Sequence, residues 1–243
     1  LELLPFSSKL LFTSLFTHIN NNIFSALLGR FYTIQQAGYY SQGSKWTTMG
    51  YSTIFGMINS VGQPVFREAS EDRQRLQNIF RKLMRFTAFV SFPAMLGLAI
   101  VSQELIVISI TEKWLPCVPV MQILCVWGAF MPISTLYSNL MNSIGRPNIY
   151  MWNTIALGIF QLLCVWGSYP YGLNVMLIVY TAANIFWLLI WHYFAHKHIG
   201  ISLFNTLKDI APYLIISVAV MTFTYWVAGY VKNIYLSLLA KIA

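Results

Sequence analysis

Apolar residues run through most of this chain in tracts of about 20, the length a helix needs to cross a bilayer. Seven such tracts are legible: about Leu10 to Gly29, Trp46 to Phe66, Phe86 to Ile110, Val118 to Ile144, Ile149 to Ser168, Leu173 to Ala195 and Ala211 to Tyr230. The closing residues, NIYLSLLAKIA, read as the start of an eighth that is cut short. A bilayer core offers no water to unpaired backbone groups, so tracts of this kind must close their hydrogen bonds internally. The expected fold is all-α: a polytopic transmembrane helix bundle of about seven spans plus a truncated eighth.

Polar positions within the tracts predict what each helix faces. In the first, Ser14, His18, Asn22, Ser25 and Gly29 share one helical face with Asn21 beside them. At mid-span depth such groups must meet protein or a water-filled cavity, so interhelical hydrogen bonding and a polar transport path both fit. After Arg30, the stretch GYYSQGSKW from Gly38 to Trp46 reads as a loop rich in glycine and interfacial aromatics. The second tract carries Ser52, Gly56 and Ser60 at four-residue spacing, a pattern suited to close helix packing, and is expected to end at Gln63 and Pro64.

Further along, Pro93 predicts a kink in the third span. Glu104 is the one carboxylate expected within a span, as part of a short interfacial helix or as a proton-carrying site. Pro116 and Pro119 open the fourth span. There Ser134, Ser138 and Asn142 share a face, with Thr135 and Asn139 adjacent, before a tight turn, NSIGRPN, bearing Arg146. Helix packing accounts for this polarity, and contact with a phosphate or sugar is the alternative. Asn153, Gln161 and Asn184 read as glue between helices, Trp187, Trp191 and Tyr193 as an interfacial belt. His196 and His198 are too few for a metal site.

Composition places the chain outside the soluble class. Hydrophobic residues make up 57% and charged residues 9%, against about 25% charged in an average soluble protein. Mean hydropathy is +0.62. Threading seven spans puts ten cationic residues on one side, Lys9, Arg67, Arg73, Arg75, Arg81, Lys82, Arg85, Arg146, Lys197 and Lys208. Four fall on the other, Arg30, Lys45, Lys113 and Lys232, so the first side is cytoplasmic. Cys117, Cys125 and Cys164 have no metal spacing and read as small core residues. The chain lacks an initiator Met and a signal peptide, and is read as an interior or C-terminal piece of a longer protein.

One segment breaks the apolar run. Arg67 to Arg85 holds nine of the 22 charged residues in 19 positions. Ser70 is the expected helix cap, with Glu71 and Asp72 in the first turn. Leu76, Ile79, Phe80, Leu83 and Met84 then recur at helical spacing opposite Arg75, Arg81, Lys82 and Arg85, which predicts an amphipathic helix lying on the membrane surface. Its membrane-like flanks argue for lipid headgroups rather than nucleic acid as its partner. No paired carboxylates, metal-ligand cluster, glycine-rich phosphate loop or nucleophile with a base occurs in any span, so no cofactor and no enzymatic activity is expected.

From Gly38 to Asn148 the chain resembles the polysaccharide and lipid-linked-oligosaccharide flippases of the multidrug/oligosaccharidyl-lipid/polysaccharide exporter superfamily. The resemblance runs through GYYSQGSKW, Pro64-Val65-Phe66, EDRQRL, FPAMLGLAIV, EKWLPCVPVMQIL from Glu112 to Leu124, and Ile144-Gly145-Arg146-Pro147. It implies two helix bundles rocking around a central cavity. Residues 1–195 would be the second six-helix bundle, and 196–243 an additional, truncated C-terminal helix or helices. The implied substrate is an undecaprenyl-diphosphate-linked oligosaccharide, crossing a bacterial cytoplasmic (inner) membrane for O-antigen, capsule or exopolysaccharide synthesis, in association with polymerase machinery. Alternatives are a cation-coupled multidrug exporter of the same superfamily, or a membrane polysaccharide polymerase. The expected substrate pathway comprises His18, Asn21, Asn22, Arg30, Asn139, Asn142 and Arg146, with Arg30 and Arg146 as partners for the diphosphate.

Overall fold

The computed structural model describes residues 28–228 and Lys241, and these are all-helical. After a helical end at 28–31 come α1 (Ile34–Glu68), α2 (Arg73–Ser109), a 3-10 segment (Glu112–Cys117), α3 (Val118–Ser143), α4 (Pro147–Ser168), a 3-10 turn (Tyr169–Tyr171), α5 (Leu173–Ile199) and α6 (Leu203–Ala228). Five stretches are long and apolar enough to cross a membrane: Arg73–Ser109, Glu112–Ser143, Pro147–Tyr171, Leu173–Ile199 and Leu203–Ala228. The first of the seven expected tracts and most of the truncated eighth lie outside the described residues. The second falls in α1, which is long enough to span but is not among the five.

Helix boundaries follow local chemistry. Thr33 and Gln36 form a capping box: the Gln36 N–H donates to Thr33 Oγ1 at 3.3 Å and the Thr33 N–H to Gln36 Oε1 at 3.2 Å. The expected loop from Gly38 to Trp46 is therefore the first third of α1, not a loop. Its glycines serve packing: a Cβ at Gly43 would stand 3.0 Å from Val120 Cγ1 and 3.1 Å from the Met121 nitrogen. At the other end α1 passes through Pro64 to Glu68 instead of stopping at Gln63. Asp72, not Ser70, caps α2, accepting from the Gln74 and Arg75 N–H groups at 2.9 and 3.0 Å. Ser70 instead closes α1 by donating to the Arg67 carbonyl at 2.7 Å. Gly145 (φ 72°) and Gly200 (φ 76°) take the left-handed conformations that end α3 and α5.

The basic segment is not a surface helix. From Arg73 it is continuous with the third span as one 37-residue helix, and Leu76, Phe80 and Met84 are buried in the protein core rather than in lipid. The reason is aromatic packing: Phe80 stacks between Phe66 and Tyr137, with ring centroids 5.9 and 5.2 Å away. Trp187 and Trp191 also go inward, against the expected belt, and only Tyr193 of that set is exposed.

Contacts at the helix ends fix the alternation of sides. At one end Arg81 pairs with Asp209 and the Gln77 amide donates to the Gly200 carbonyl at 3.1 Å. At the other, Tyr39 meets Trp114 edge-on at 6.1 Å and the Tyr32 hydroxyl donates to the Tyr169 carbonyl at 2.9 Å. Burial pushes the Tyr32 pKa above its ordinary value, which keeps that proton in place. Arg67 to Arg85, Arg146, Lys197 and Lys208 thus share one end, as the loop charges predicted. Helix α3 lies at the centre, packed against α1, α2 and α5. Because α1 and α3 both run towards the basic end, they pack in parallel, Gly43 beside Val120 and Gly62 beside Asn139.

Candidate functional site

Helix α1 has an unusual division of faces. Gly43, Thr47, Ile54 and Ile58 are buried against its neighbours. Ser41, Lys45, Thr48, Ser52, Gly56, Ser60 and Gln63 are all exposed among the described residues. At about 100° per residue these seven stay within a sector of roughly 120°. They make an unbroken polar stripe from the outer end of the helix to its basic end, flanked by exposed Met49 and Met57. Expected packing at Ser52, Gly56 and Ser60 is not observed: a Cβ at Gly56 would meet nothing within 4 Å, and the two serines donate only to the Met49 and Met57 carbonyls of their own helix. This stripe is why α1 alone among the long helices falls short of span-like hydropathy. A polar face of that length is stable in a membrane only against water or protein.

The stripe ends differently at its two extremities. At the outer end it opens into a cleft of about 580 Å³, lined by α1 from Ala37 to Tyr51 together with Leu124 and Trp127 of α3, Gln161 of α4 and Tyr180 of α5. Lys45 is the one cationic side chain in that lining among the described residues. Within it the Gln161 amide donates to Asn184 Oδ1 at 2.8 Å. At the basic end lies an amide network. Asn139 donates to Asn59 Oδ1 at 3.0 Å and accepts from Gln63 Nε2 at 3.1 Å, while the Ser143 hydroxyl donates to the Gln63 carbonyl at 3.2 Å.

The expected pathway residues meet varied fates. His18, Asn21 and Asn22 lie outside the described residues. Asn139 is buried, and both ends of its amide are engaged between α1 and α3, so it joins these helices. Asn142 is half-buried, its Oδ1 buried without a hydrogen-bond partner among the described residues. Arg146 is exposed at the N-cap of α4. Arg30 is exposed beside the outer end of α1. The 26 residues of α3 put about 39 Å between the levels of the two arginines, so the structure does not bring them to one diphosphate.

Sequence reasoning missed Lys45, Tyr40, Tyr51 and Tyr180. The signal was there: Ser41, Lys45, Thr48 and Ser52 extend the Ser52–Gly56–Ser60 series at helical spacing, hidden once Gly38 to Trp46 was read as a loop. It also missed Asp209, a second buried carboxylate, which receives Arg81 Nε at 2.7 Å and Nη2 at 3.1 Å. Glu104 is not solitary: it is buried near the end of α2, and its Oε1 takes Lys241 Nζ at 2.5 Å. No group of three metal-ligating side chains occurs among the described residues.

Comparison with known proteins places this geometry. Residues 1–119 match the family described as "Polysaccharide biosynthesis protein". An uncharacterized membrane protein in the cps region of Klebsiella pneumoniae is 30% identical over 65% of this chain and 33% of its own length. Lipopolysaccharide biosynthesis protein WzxC of Escherichia coli is 28% identical over 65% of this chain and 32% of its own. Teichuronic acid biosynthesis protein TuaB of Bacillus subtilis is 24% identical over 65% and 33%. The match thus spans about a third of these curated relatives. Among solved structures, the lipid II flippase MurJ in an inward closed conformation superposes with a TM-score of 0.70 at 18% identity, over 95% of this chain and 50% of that one. The chain is a bacterial multi-pass membrane protein, similar to polysaccharide biosynthesis proteins over about a third of their length and to the lipid II flippase in fold.

Proposed function

We propose that the whole protein is a flippase, a transporter and not an enzyme, which carries lipid-linked oligosaccharide repeat units across the bacterial inner membrane for surface polysaccharide assembly. The observation that carries this reading is the match of residues 1–119 to the polysaccharide biosynthesis family, and the flippase-like fold supplies a means. In this reading residues 1–195 belong to the second of two helix bundles. Residues 196–243 add a helical unit, with α6 held to α2 through Arg81 and Asp209. The polar stripe of α1 faces the path. A sugar headgroup moving along it exchanges water for hydroxyls and amides while the lipid tail stays in the bilayer, which lowers the desolvation cost of crossing.

A cation-coupled drug exporter needs a carboxylate that loads and releases its ion. Both buried carboxylates among the described residues, Glu104 and Asp209, are instead held by Lys241 and Arg81. The reading is tested by deleting the gene and restoring it on a plasmid. Surface polysaccharide is expected to fall on deletion and return with the plasmid, and drug susceptibility to stay unchanged. Normal polysaccharide with raised drug susceptibility overturns it in favour of the exporter.

A further inference from the structure

The outer cleft differs in chemistry from a site for a bare diphosphate. Phosphate groups are best held by several charges and by the bidentate fork of arginine, and among the described residues this lining contains no arginine and a single lysine. The rest of the wall is neutral and of two kinds. Trp127, Tyr40 and Tyr180, with aliphatic residues beside them, supply apolar surface, and Ser41, Ser44 and Thr48 supply hydroxyl groups. A sugar ring presents the same two characters, C–H faces that lie on aromatic rings and hydroxyls that exchange hydrogen bonds with side chains. At about 580 Å³ the cleft is of the size that encloses small ligands.

We propose that this cleft is a saccharide subsite which selects a sugar unit bearing one negative charge, such as a uronic acid, with Lys45 as the counter-ion. The assignment rests on the flippase reading, because it places the glycan, and not the diphosphate, at the outer end of the α1 stripe. Lys45 lies 11 residues into α1, one helical turn beyond Ser41 and level with the first turns of α3, since neighbouring Gly43 touches Val120 and Met121. Lys45 as a residue is exposed, so pairing with a carboxylate does not have to overcome the desolvation of a deeply buried cation.

The test uses the full-length protein purified in detergent, titrated with methyl glucuronide, with methyl glucoside and with inorganic pyrophosphate, and followed by tryptophan fluorescence and calorimetry. The glucuronide is expected to bind more tightly than the glucoside by about tenfold, the scale of one charge-assisted hydrogen bond. Lys45→Gln is expected to erase that difference, Lys45→Arg to keep most of it, and Trp127→Leu to weaken both sugars together. Equal binding of the two sugars, binding of neither, an unchanged preference in Lys45→Gln, or pyrophosphate competing as well as the glucuronide each overturns the subsite. All of these leave the flippase reading standing as long as the plasmid restores surface polysaccharide, and loss of that restoration would sink the flippase reading alone.

Discussion

Helices α4 and α5 on one hand and α1 on the other distribute their polar residues in opposite ways. In the α4–α5 pair the polar groups point at each other: Gln161 donates to Asn184 at 2.8 Å, and the Trp187 indole donates to Asn153 Oδ1 at 3.0 Å. Their outward residues, Trp152, Ile159, Leu163, Ile178, Phe186 and Leu189, are large, apolar and exposed. That is the pattern of a pair facing lipid, with polarity spent on joining the helices. In α1 the inward face is mainly glycine and aliphatic residues, and the outward face carries a stripe of hydroxyls, a lysine and an amide beside exposed Met49, Met57 and Val61. A bilayer does not tolerate that outward face, so α1 borders water or another part of the protein. The contrast separates polar residues that hold the bundle together from those available to a passing solute.

The largest expected effect comes from the inward face of α1. Leucine at Gly43 would drive a side chain into Val120, the Met121 nitrogen and the Cys117 carbonyl, and two of those three neighbours are backbone that cannot swing away. Gly43→Leu is expected to cost about 3 kcal/mol, at the upper end for overpacked cores, and to lower the melting temperature of the detergent-solubilised protein by several degrees. Gly56, on the outward face, has nothing within 4 Å of a new Cβ. Gly56→Ala is expected to stabilise by about 0.5–1 kcal/mol through helix propensity alone. Similar losses at both glycines would mean that the outward face is packed and would end the comparison.

A smaller effect is expected within the α4–α5 pair. Asn184→Leu removes the acceptor of the Gln161 amide and a donor to the Tyr180 carbonyl. Interhelical hydrogen bonds in membranes are worth about 0.6 kcal/mol on average and less than about 2 kcal/mol at most. The variant is expected to lose about 1 kcal/mol of stability and to transport normally once folded, measured as surface polysaccharide per folded molecule. If transport falls while the melting temperature holds, these polar groups belong to the path and not to the joint.

This distinction shows what was legible in the chain. Five of the expected spans, their order and their alternating sides are legible because each needs only a tract length and a charge count, and Asn153, Gln161 and Asn184 are legible as joints for the same reason, as isolated polar groups in apolar helices. Which way a polar face points was not legible. Asn139 and the Ser52–Gly56–Ser60 series look alike in sequence, yet Asn139 meets Asn59 and Gln63 whereas the serines meet only their own helix. The partners are about 80 residues away, so nothing local distinguishes the cases. The pairs Arg81–Asp209 and Glu104–Lys241 were missed likewise, their partners lying 128 and 137 residues apart. The start of α1 was misplaced for a local reason: glycines and tyrosines between Gly38 and Trp46 suggest a loop, and the Thr33–Gln36 capping box that overrules them is a single short signal.

The smallest expected change in stability is the most informative about function. Ser52 is exposed at the middle of the polar stripe, and its hydroxyl is satisfied by the Met49 carbonyl one turn back. Ser52→Leu therefore removes no tertiary contact among the described residues and improves helix propensity, so the melting temperature is expected to move by less than the equivalent of about 0.5 kcal/mol. What it does change is the surface that a hydrated headgroup meets half-way along α1, where a hydroxyl able to replace water is exchanged for an isobutyl group that cannot. Surface polysaccharide should fall several-fold at unchanged protein level, and Ser52→Thr, which keeps the hydroxyl, should restore it. A Ser52→Leu protein that is both stable and fully active would show that nothing polar passes this face, and α1 would then have to be covered by the remainder of the protein. Loss of stability together with activity would say that it is covered already.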